Sequence, residues 1–290
     1  MKFHTVIIIY NPNSTGDSEK NAREFATEIT NHDNGLAIKI IATKRAGHAE
    51  QIAKKYSTDK NTVIVSSSGD GGYHEVVNGV VGNNGTCTVA VLPSGNANDH
   101  HRAVAPDDMV ASIIYAKTKM IEAIQVTSTA NGKPWTRYAH SYVGFGLTPK
   151  VGKVLTDVRP NVITEKWHVL KHAFSFKYVA ITSDGTVRNY RSLIVSTIDR
   201  MSKVIKLDET SMLNDGLMEV YESIHLSLFG TLKELLALGT TGISRSKRVK
   251  SLVLSATKPL LVQLDGEVFT LDKKCNIELV CVKDRIRTLA

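Results

Sequence analysis

The chain has 290 residues, 42% of them hydrophobic, and its 36 Lys and Arg against 28 Asp and Glu give a formal charge of +8. This length exceeds the usual limit for one hydrophobic core and predicts two domains. No apolar run approaches the ~20 residues of a membrane-spanning helix, and the first apolar run is too short for a signal peptide. Three cysteines without close spacing argue against a disulfide framework or a zinc site and indicate small core residues. We therefore expect a cytoplasmic protein whose positive charge favours an anionic partner.

The first part of the chain alternates short apolar runs with segments in which apolar residues recur at helical spacing. Strands are predicted at Thr5–Tyr10, Leu36–Ala42, Thr62–Ser66 and Thr88–Leu92. Helices are predicted around Phe25, around Ile52, from the glycines near position 70 through Val80, and around Ile113. This alternation predicts an α/β domain over residues 1–122, with a doubly wound, mostly parallel sheet and helices on both faces.

Strands dominate the second part of the chain. The turn pair Asn131-Gly132 lies between two strand-like runs and predicts a hairpin. Further strands are predicted at Val187–Thr197, Leu217–Ser223, Val249–Ala256, Leu260–Leu264 and Ile277–Val282, and helices near Glu165–Tyr178 and Leu226–Leu238. We expect an antiparallel, β-sandwich-like domain over residues 123–283, with the stretch from about 284 to 290 as a candidate to return to the first domain.

The stretch SSSGDGGYHEVVNG, residues 66–79, sets an acidic residue among glycines between a predicted strand and a predicted helix. Open α/β sheets bind ligands at this position, because glycines let backbone N–H groups approach a phosphate and the helix N-terminus attracts it. Asp70 would repel a phosphate, so its presence indicates a bridging metal or hydrogen bonds to another part of a nucleotide. Taken alone, the stretch fits equally well a turn in which Asp70 caps the helix.

Two more polar loops follow predicted strands of the same sheet. NPNSTG, residues 11–16, follows the first strand, and PSGNAND, residues 93–99, follows the fourth. Each is also explained as an ordinary strand-to-helix loop, with Asp17 or Ser18 as an N-cap and Asp99 as a turn residue. Three such loops at one edge of one sheet favour a shared binding site.

Six motifs occur in the order NPNSTG, TKRAGHAE, SGDGGYHEVVNG, PSGNANDHHR, LNDGLMEV and LDGE. This set spans nearly the whole chain and resembles the diacylglycerol kinase catalytic family, which includes bacterial soluble lipid kinases and sphingosine kinases. The resemblance implies a two-domain fold of the NAD kinase/diacylglycerol kinase type, with ATP bound in the cleft. It implies transfer of the γ-phosphoryl group of ATP to the hydroxyl of a lipid, with magnesium present.

The resemblance also assigns roles to residues of this chain. Nucleotide contacts are implied for Asn11, Pro12, Asn13, Ser14, Thr15, Thr43, Gly69, Asp70, Gly71, Gly72, Tyr73, His74, Glu75 and Asn96. Glu267 is implied as the general base with Asp70 as a second catalytic residue, and a magnesium ion is implied at Asp215 with carbonyl groups near Met212 and Leu217. From the residues alone, Asp265-Gly266 reads as a hairpin turn followed by a solvated Glu267.

The chain departs from the family's GGDGT pattern at two positions of the glycine stretch. Ser68 stands in place of the first glycine and Gly72 in place of the threonine, while Asn96 replaces another threonine in the later loop. Loss of two hydroxyl groups near the phosphates is expected to weaken ATP binding, to change the nucleotide preference, or to be compensated by Ser66, Ser67 and Ser94.

The expected partners are ATP, a lipid alcohol such as diacylglycerol, and an anionic membrane surface. Residues 245–250, RSKRVK, carry four cations, each contributing about 1 kcal/mol near an anionic bilayer, or else form a solvated loop. No recognisable nucleic-acid module accompanies the charge, so nucleic acid is not expected, and a homodimer is left open. An NAD kinase and a catalytically impaired regulatory protein that binds nucleotide or lipid are the alternatives.

Overall fold

The computed structural model describes residues 2–14, 16–33, 35–149, 178–201, 205–206, 213–224 and 247–290. Of the helices expected in the second part, the one near Leu226–Leu238 and all but the last residue of the one near Glu165–Tyr178 lie outside these ranges. The chain forms two compact units: residues Met1–Ala123 with Lys283–Ala290, and residues Ile124–Val282.

The first unit contains a parallel sheet covered by helices. Its elements are β1 (Thr5–Tyr10), α1 (Ser18–His32), β2 (Ala37–Ala42), α2 (His48–Tyr56), β3 (Thr62–Ser68), α3 (Asp70–Val81), β4 (Thr88–Pro93), α4 (Asp99–Val104) and α5 (Met109–Ile114). The four strands pair in the order β2-β1-β3-β4, and all neighbours are parallel. Val63, Ile64 and Val65 of β3 are fully buried, as expected for a strand with both faces covered.

Helix α1 shows how periodicity builds the core of this unit. Its buried side chains Ala22, Phe25, Ala26 and Ile29 recur every three or four residues and pack with β1 side chains such as Ile8. The helix therefore buries one face and leaves the opposite one in solvent.

The second unit is built from antiparallel strands. Its elements are most of β5 (Thr118–Ala130), then β6 (Lys133–Ala139), β7 (Tyr142–Gly146), β8 (Val179–Ser183), β9 (Thr186–Ser196), β10 (Arg200–Met201), β11 (Ile205–Lys206), β12 (Met218–Ile224), β13 (Lys247–Val249), β14 (Ser251–Ala256), β15 (Leu260–Leu264), β16 (Glu267–Leu271) and most of β17 (Cys275–Leu289). The strands pair in the order β16-β15-β7-β9-β8-β14-β17, and β12 pairs with β9 and β13. Phe145, Tyr190, Leu193 and Ile277 lie at the core of this unit.

A mostly parallel N-terminal sheet followed by antiparallel C-terminal strands confirms the predicted fold class. The predicted hairpin is present, because β5 and β6 pair up to Ala130 opposite Lys133 and the connecting Asn131 and Gly132 have φ angles of 52° and 70°. The cysteines at 87, 275 and 281 are buried, as expected for core residues. Among the described helices, none is both long and apolar enough to cross a membrane.

Candidate nucleotide site and the acidic residues of the second unit

The loops after β1, β3 and β4 contact one another at the carboxyl edge of the parallel sheet. A Cβ atom added to Gly95, after β4, would lie 2.4 Å from the Cα atom of Gly69, after β3. A Cβ atom added to Gly16, after β1, would lie 3.1 Å from the carbonyl oxygen of Ser94. Glycine is needed at 95 because a side chain there would force the two backbones apart, and a side chain at 16 would crowd the carbonyl group of Ser94. The three loops therefore form one cluster of closely packed backbone.

Ser94 is the centre of the hydrogen bonds that join these loops. Its carbonyl oxygen accepts from the backbone N–H of Gly16 at 3.0 Å and from the hydroxyl of Ser14. Its hydroxyl oxygen lies 2.9 Å from the Nδ2 donor of Asn21 and 3.0 Å from the hydroxyl of Ser67. One buried serine thus holds the loop after β1 and the end of β3 to the loop after β4.

The neighbouring serine hydroxyls are also engaged inside the protein. Ser67 donates to the carbonyl oxygen of Ser18 at 2.8 Å, and Ser18 donates to that of Asn11 at 2.5 Å. The hydroxyl of Ser66 lies 2.7 Å from that of Ser68. Ser66 and Ser67 are buried and their hydroxyls are bonded inside the protein, which does not favour them as replacements for the missing threonine hydroxyls.

Ser68 and Gly72 occupy a shared space. A Cβ atom added to Gly72 would lie 2.5 Å from the Oγ atom of Ser68 and 2.6 Å from its Cβ atom. Ser68 donates its hydroxyl to the carbonyl oxygen of Gly69 at 3.0 Å and is buried. Because the side chain at 68 fills the space that a side chain at 72 would need, the two departures from the family pattern are coupled.

Asp70 caps a helix, but a different one from the helix in which it lies. The residue before α3, Gly69, takes the N-cap position. The two carboxylate oxygens of Asp70 accept the backbone N–H groups of Asp99 and His100, each at 3.1 Å, at the start of α4. Asp70 is 9% exposed. Its carboxylate therefore fixes the loop after β4, and the interpretation that it caps its own helix is wrong.

Glu75 makes the equivalent contact with a second helix. One of its carboxylate oxygens accepts the N–H of Gly47 at 2.7 Å, and the other accepts that of Ala49 at 3.0 Å. These are the first donors of α2, which lack partners within that helix. The preceding Thr43 lies after β2, and its N–H donates to the carbonyl oxygen of Tyr10 at 2.9 Å. Helix α3 thus carries two carboxylates that hold the N-termini of α2 and α4.

The remaining residues that are predicted to contact the nucleotide fall into two groups, buried residues and residues that are at least partly exposed. Tyr73 and His74 are buried, and the Tyr73 ring packs 4.9 Å from that of His100. These two side chains belong to the core beneath the loops. The residues that reach solvent at least in part are Asn11, Pro12, Asn13, Ser14, Gly69, Gly71, Gly72 and Asn96. Thr15 lies outside the described residues.

Helix α4, which follows the loop after β4, carries two histidines and an ion pair. Asp99 pairs with Arg102 at 2.5 Å within the helix. Burial and the positive charge of Arg102 lower the pKa of His101, which favours the neutral ring. The Lys119 ammonium donates to the carbonyl oxygen of Val104 at 2.7 Å and so holds the last turn of the helix.

Asp265 and Gly266 form the predicted hairpin turn, with φ angles of 49° and 102°, between β15 and β16. The carboxylate of Asp265 is buried and accepts the N–H groups of His140, Ser141 and Tyr142 at 2.8 to 3.0 Å. The turn is therefore tied to the connection between β6 and β7. Glu267 begins β16 and is half-buried, so it is less solvated than a hairpin turn alone predicts.

Within the described part of the chain, the carboxylate of Asp215 is bonded by protein groups, which are not the surroundings of a metal ligand. One carboxylate oxygen accepts the N–H of Leu217 at 2.8 Å, and the other pairs with the guanidinium group of Arg248. Arg248 also lies with its Nε atom 3.4 Å from a carboxylate oxygen of Glu219. Among the described residues, no group of three or more His, Cys, Asp or Glu side chains is placed to hold a metal ion. Met212 lies outside those residues, and the remaining donors do not fit a resident magnesium ion.

The basic run at residues 245–250 is only partly described, since Arg245 and Ser246 fall outside the described ranges. Lys247 and Lys250 are exposed. The guanidinium group of Arg248 contacts two carboxylates, so its charge is balanced within the protein.

Sequence reasoning missed three groups that organise these sites: the carbonyl group of Ser94, the side chain of Asn98 and the carboxylate of Asp265. Asn98 has a φ of 53°, and its amide bonds both the N–H and the carbonyl group of Gly95 at 3.0 and 2.9 Å. An Asn in a strand-to-helix loop signals such a turn, because Asn tolerates positive φ and its side chain bonds nearby backbone groups. The partners of Asp265 lie more than 120 residues away, so no local signal identifies them.

Comparison with known proteins finds sequence similarity to one family. Residues 5–129 match the family model of the diacylglycerol kinase catalytic domain. A diacylglycerol kinase of Staphylococcus aureus (strain bovine RF122 / ET3-1) is 25% identical over 274 residues, which cover 90% of this chain and 85% of that protein. These matches confirm the resemblance read from the six motifs.

Solved structures show the same fold. A diacylglycerol kinase crystal structure from Bacillus anthracis str. Sterne has a TM-score of 0.72 at 18% identity and covers all of this chain and 97% of that one. Yeast NADH kinase in complex with NADH has a TM-score of 0.55 at 12% identity, with 100% of this chain and 84% of that chain covered.

Proposed function

We propose that this protein is an ATP- and magnesium-dependent lipid kinase, since residues 5–129 match the family model of the diacylglycerol kinase catalytic domain. The reaction transfers the γ-phosphoryl group of ATP to the hydroxyl of diacylglycerol or a related lipid alcohol. The observation that carries the proposal is the cluster of three loops at the carboxyl edge of the sheet, with Gly69 against Gly95 and Gly16 against Ser94. The relative in Staphylococcus aureus bears the name diacylglycerol kinase, which supports the choice of lipid.

The loop cluster suits the phosphates of a nucleotide. Phosphoryl transfer depends mainly on positioning and on neutralising charge, and backbone N–H groups of closely packed glycine loops supply both. Helix α3 spans Asp70–Val81 and adds the positive end of its dipole at Gly69. Magnesium enters with ATP as part of the substrate. Asp70 acts by positioning, since its carboxylate fixes the start of α4 next to the same loops.

We assign the proton transfer to Glu267. Its carboxylate takes the proton of the lipid hydroxyl while the oxygen forms a bond to the γ-phosphorus and the bond to ADP breaks. The turn that carries Glu267 is held by three backbone N–H groups on the Asp265 carboxylate. A fixed turn keeps the base in one position, which favours proton transfer.

The test is a kinase assay on the purified protein with labelled ATP, magnesium and a panel of lipid alcohols in mixed micelles, with NAD as a separate acceptor. We expect label in one lipid class and none in NAD. Glu267→Gln should lower kcat about 10²- to 10⁴-fold, while ATP affinity is kept. Glu278→Gln, on an exposed strand position of β17, is the matched control and should leave the rate unchanged.

The other outcomes separate the alternatives. Label in NAD alone would assign the chain to the NAD kinases, whose fold it shares. ATP binding by calorimetry without transfer to any acceptor would favour a regulatory protein, the alternative raised by Gly72 and Asn96. We further propose that Lys247 and Lys250 contact anionic lipid during the reaction, since both are exposed cations.

A further inference from the structure

Arg248 lies between two carboxylates of the second unit. Asp215 belongs to the turn before β12, and Glu219 lies on β12 directly opposite Arg248 on β13. The guanidinium group pairs with Asp215 through one terminal nitrogen and approaches Glu219 through Nε at 3.4 Å. The strand register and the side-chain contacts therefore place this arginine at the Asp-Gly turn.

The two carboxylates need a positive charge. The side chain of Glu219 is 2% exposed and that of Asp215 is 20% exposed, so water screens Glu219 poorly and Asp215 only in part. A carboxylate removed from water without a counter-charge is strongly destabilising. A divalent cation and a guanidinium group both meet this need, because each binds carboxylate oxygens directly.

Arginine and a metal ion exclude each other at this place. Asp215 already accepts the N–H of Leu217 with one oxygen and contacts Arg248 with the other. A metal ion at the same oxygens would have to displace the guanidinium group and leave its charge beside the cation. The planar fork of arginine suits two carboxylates at once, which a lysine at 248 would not match.

We propose that Arg248 is the resident cation of this turn and takes the place of a structural metal ion. The Asp215 turn and β12 then fold without a divalent cation, and magnesium acts only with the nucleotide. Arg248 is thereby a structural counter-ion: its guanidinium group contacts Asp215 and Glu219, although its side chain is exposed as those of Lys247 and Lys250 are.

Thermal unfolding without nucleotide tests this inference independently of any kinase activity. The wild-type Tm should be the same in excess EDTA and in millimolar MgCl₂. Arg248→Met should lower the Tm in EDTA by about 5 °C or more, since it removes the positive charge beside the buried carboxylate of Glu219. Magnesium, calcium or manganese should then restore part of that loss. Lys247→Met removes the same charge at an exposed position and should show neither effect.

Manganese binding followed by electron paramagnetic resonance gives a second readout. Without nucleotide, the wild-type protein should hold no tightly bound ion at this turn, whereas Arg248→Met should gain one that Asp215→Asn removes. A wild-type Tm that rises with magnesium, and no longer does so in Asp215→Asn, would overturn the proposal and show a metal ion at this turn. An Arg248→Met protein whose Tm ignores all three metals would also overturn it. The wild-type measurements show whether a metal ion binds at this turn even if Arg248→Met fails to fold.

Discussion

The hydroxyl of Ser68 fills the space into which a side chain at position 72 would project. The 2.5 Å separation between a Cβ atom at 72 and the Ser68 Oγ atom is shorter than any normal contact. Gly72→Thr should therefore lower the free energy of unfolding by about 1–3 kcal/mol, the usual cost of overpacking a tight site. Urea unfolding of the variant measures the loss.

The double variant Ser68→Gly with Gly72→Thr is the decisive comparison. Removing the Ser68 side chain frees the space, so we expect most of the stability lost in Gly72→Thr to return. Ser68→Gly alone controls for the lost hydroxyl and its 3.0 Å hydrogen bond to Gly69, worth about 1 kcal/mol. Strictly additive losses in the double variant would show that the two positions are not coupled.

The role of Asp70 illustrates what residue-level reasoning can and cannot supply. An acid among glycines after a strand fits a binding loop and a capping turn equally well, and only the three polar loops together favour a binding site at the sheet edge. Its partners are the N–H groups of residues 99 and 100, about thirty positions later in the chain. Helix-capping rules consider only the next few residues of the sequence, so they assign Asp70 to α3, whereas its carboxylate caps α4.

Helix α3 acts as the element that joins its two neighbours. Glu75 holds the N-terminus of α2 and Asp70 that of α4. Glu75→Ala leaves the first N–H groups of α2 without their acceptor, and loss of such a cap costs about 0.5–2 kcal/mol. We expect faster amide hydrogen exchange at Gly47 and Ala49, with exchange in α4 unchanged.

Hydrogen exchange followed by mass spectrometry or NMR measures this effect. Glu24→Ala is a suitable control, because Glu24 is exposed on α1 and pairs only loosely with Lys20 at 3.9 Å. Equal acceleration in α2 and α4 in the Glu75 variant would contradict separate roles for the two carboxylates.

At the scale of elements, short apolar runs located β1 to β4, and apolar residues at helical spacing located α1 to α3 and α5. It missed α4, whose sequence DHHRAV has no apolar period and whose start is fixed by Asp70. It also missed β8, although a signal was present. Asp184 and Gly185, with φ angles of 51° and 74°, form the two-residue turn that joins β8 to β9.

Each unit of the molecule contains buried cysteine side chains whose reactivity can report on the opening of that unit. Cys87 lies in the first unit, and Cys275 and Cys281 lie in the second. All three are buried, and burial raises the pKa of the Cys87 thiol to about 12. At neutral pH the native protein should therefore react very slowly with iodoacetamide.

Pulse alkylation in low denaturant, read by mass spectrometry of the three peptides, should follow the opening of each unit. Gly72→Thr should speed the labelling of Cys87 more than that of Cys275, and Arg248→Met should do the reverse. Equal labelling of all three thiols in both variants would contradict local opening within one unit.

The late position of β17 in the sequence determines when the sheet of the first unit can form completely. Its first residues, Cys275 to Val280, pair with β14, while Thr288 pairs with Val89 of β4 and the hydroxyl of Ser112 donates to the carbonyl of Ala290. On the ribosome, the partner strand for β4 therefore emerges only after all of residues 124–282. The unit that is synthesised first must wait with an open sheet edge, where unpaired backbone can associate with other chains. Slow translation would prolong that exposure.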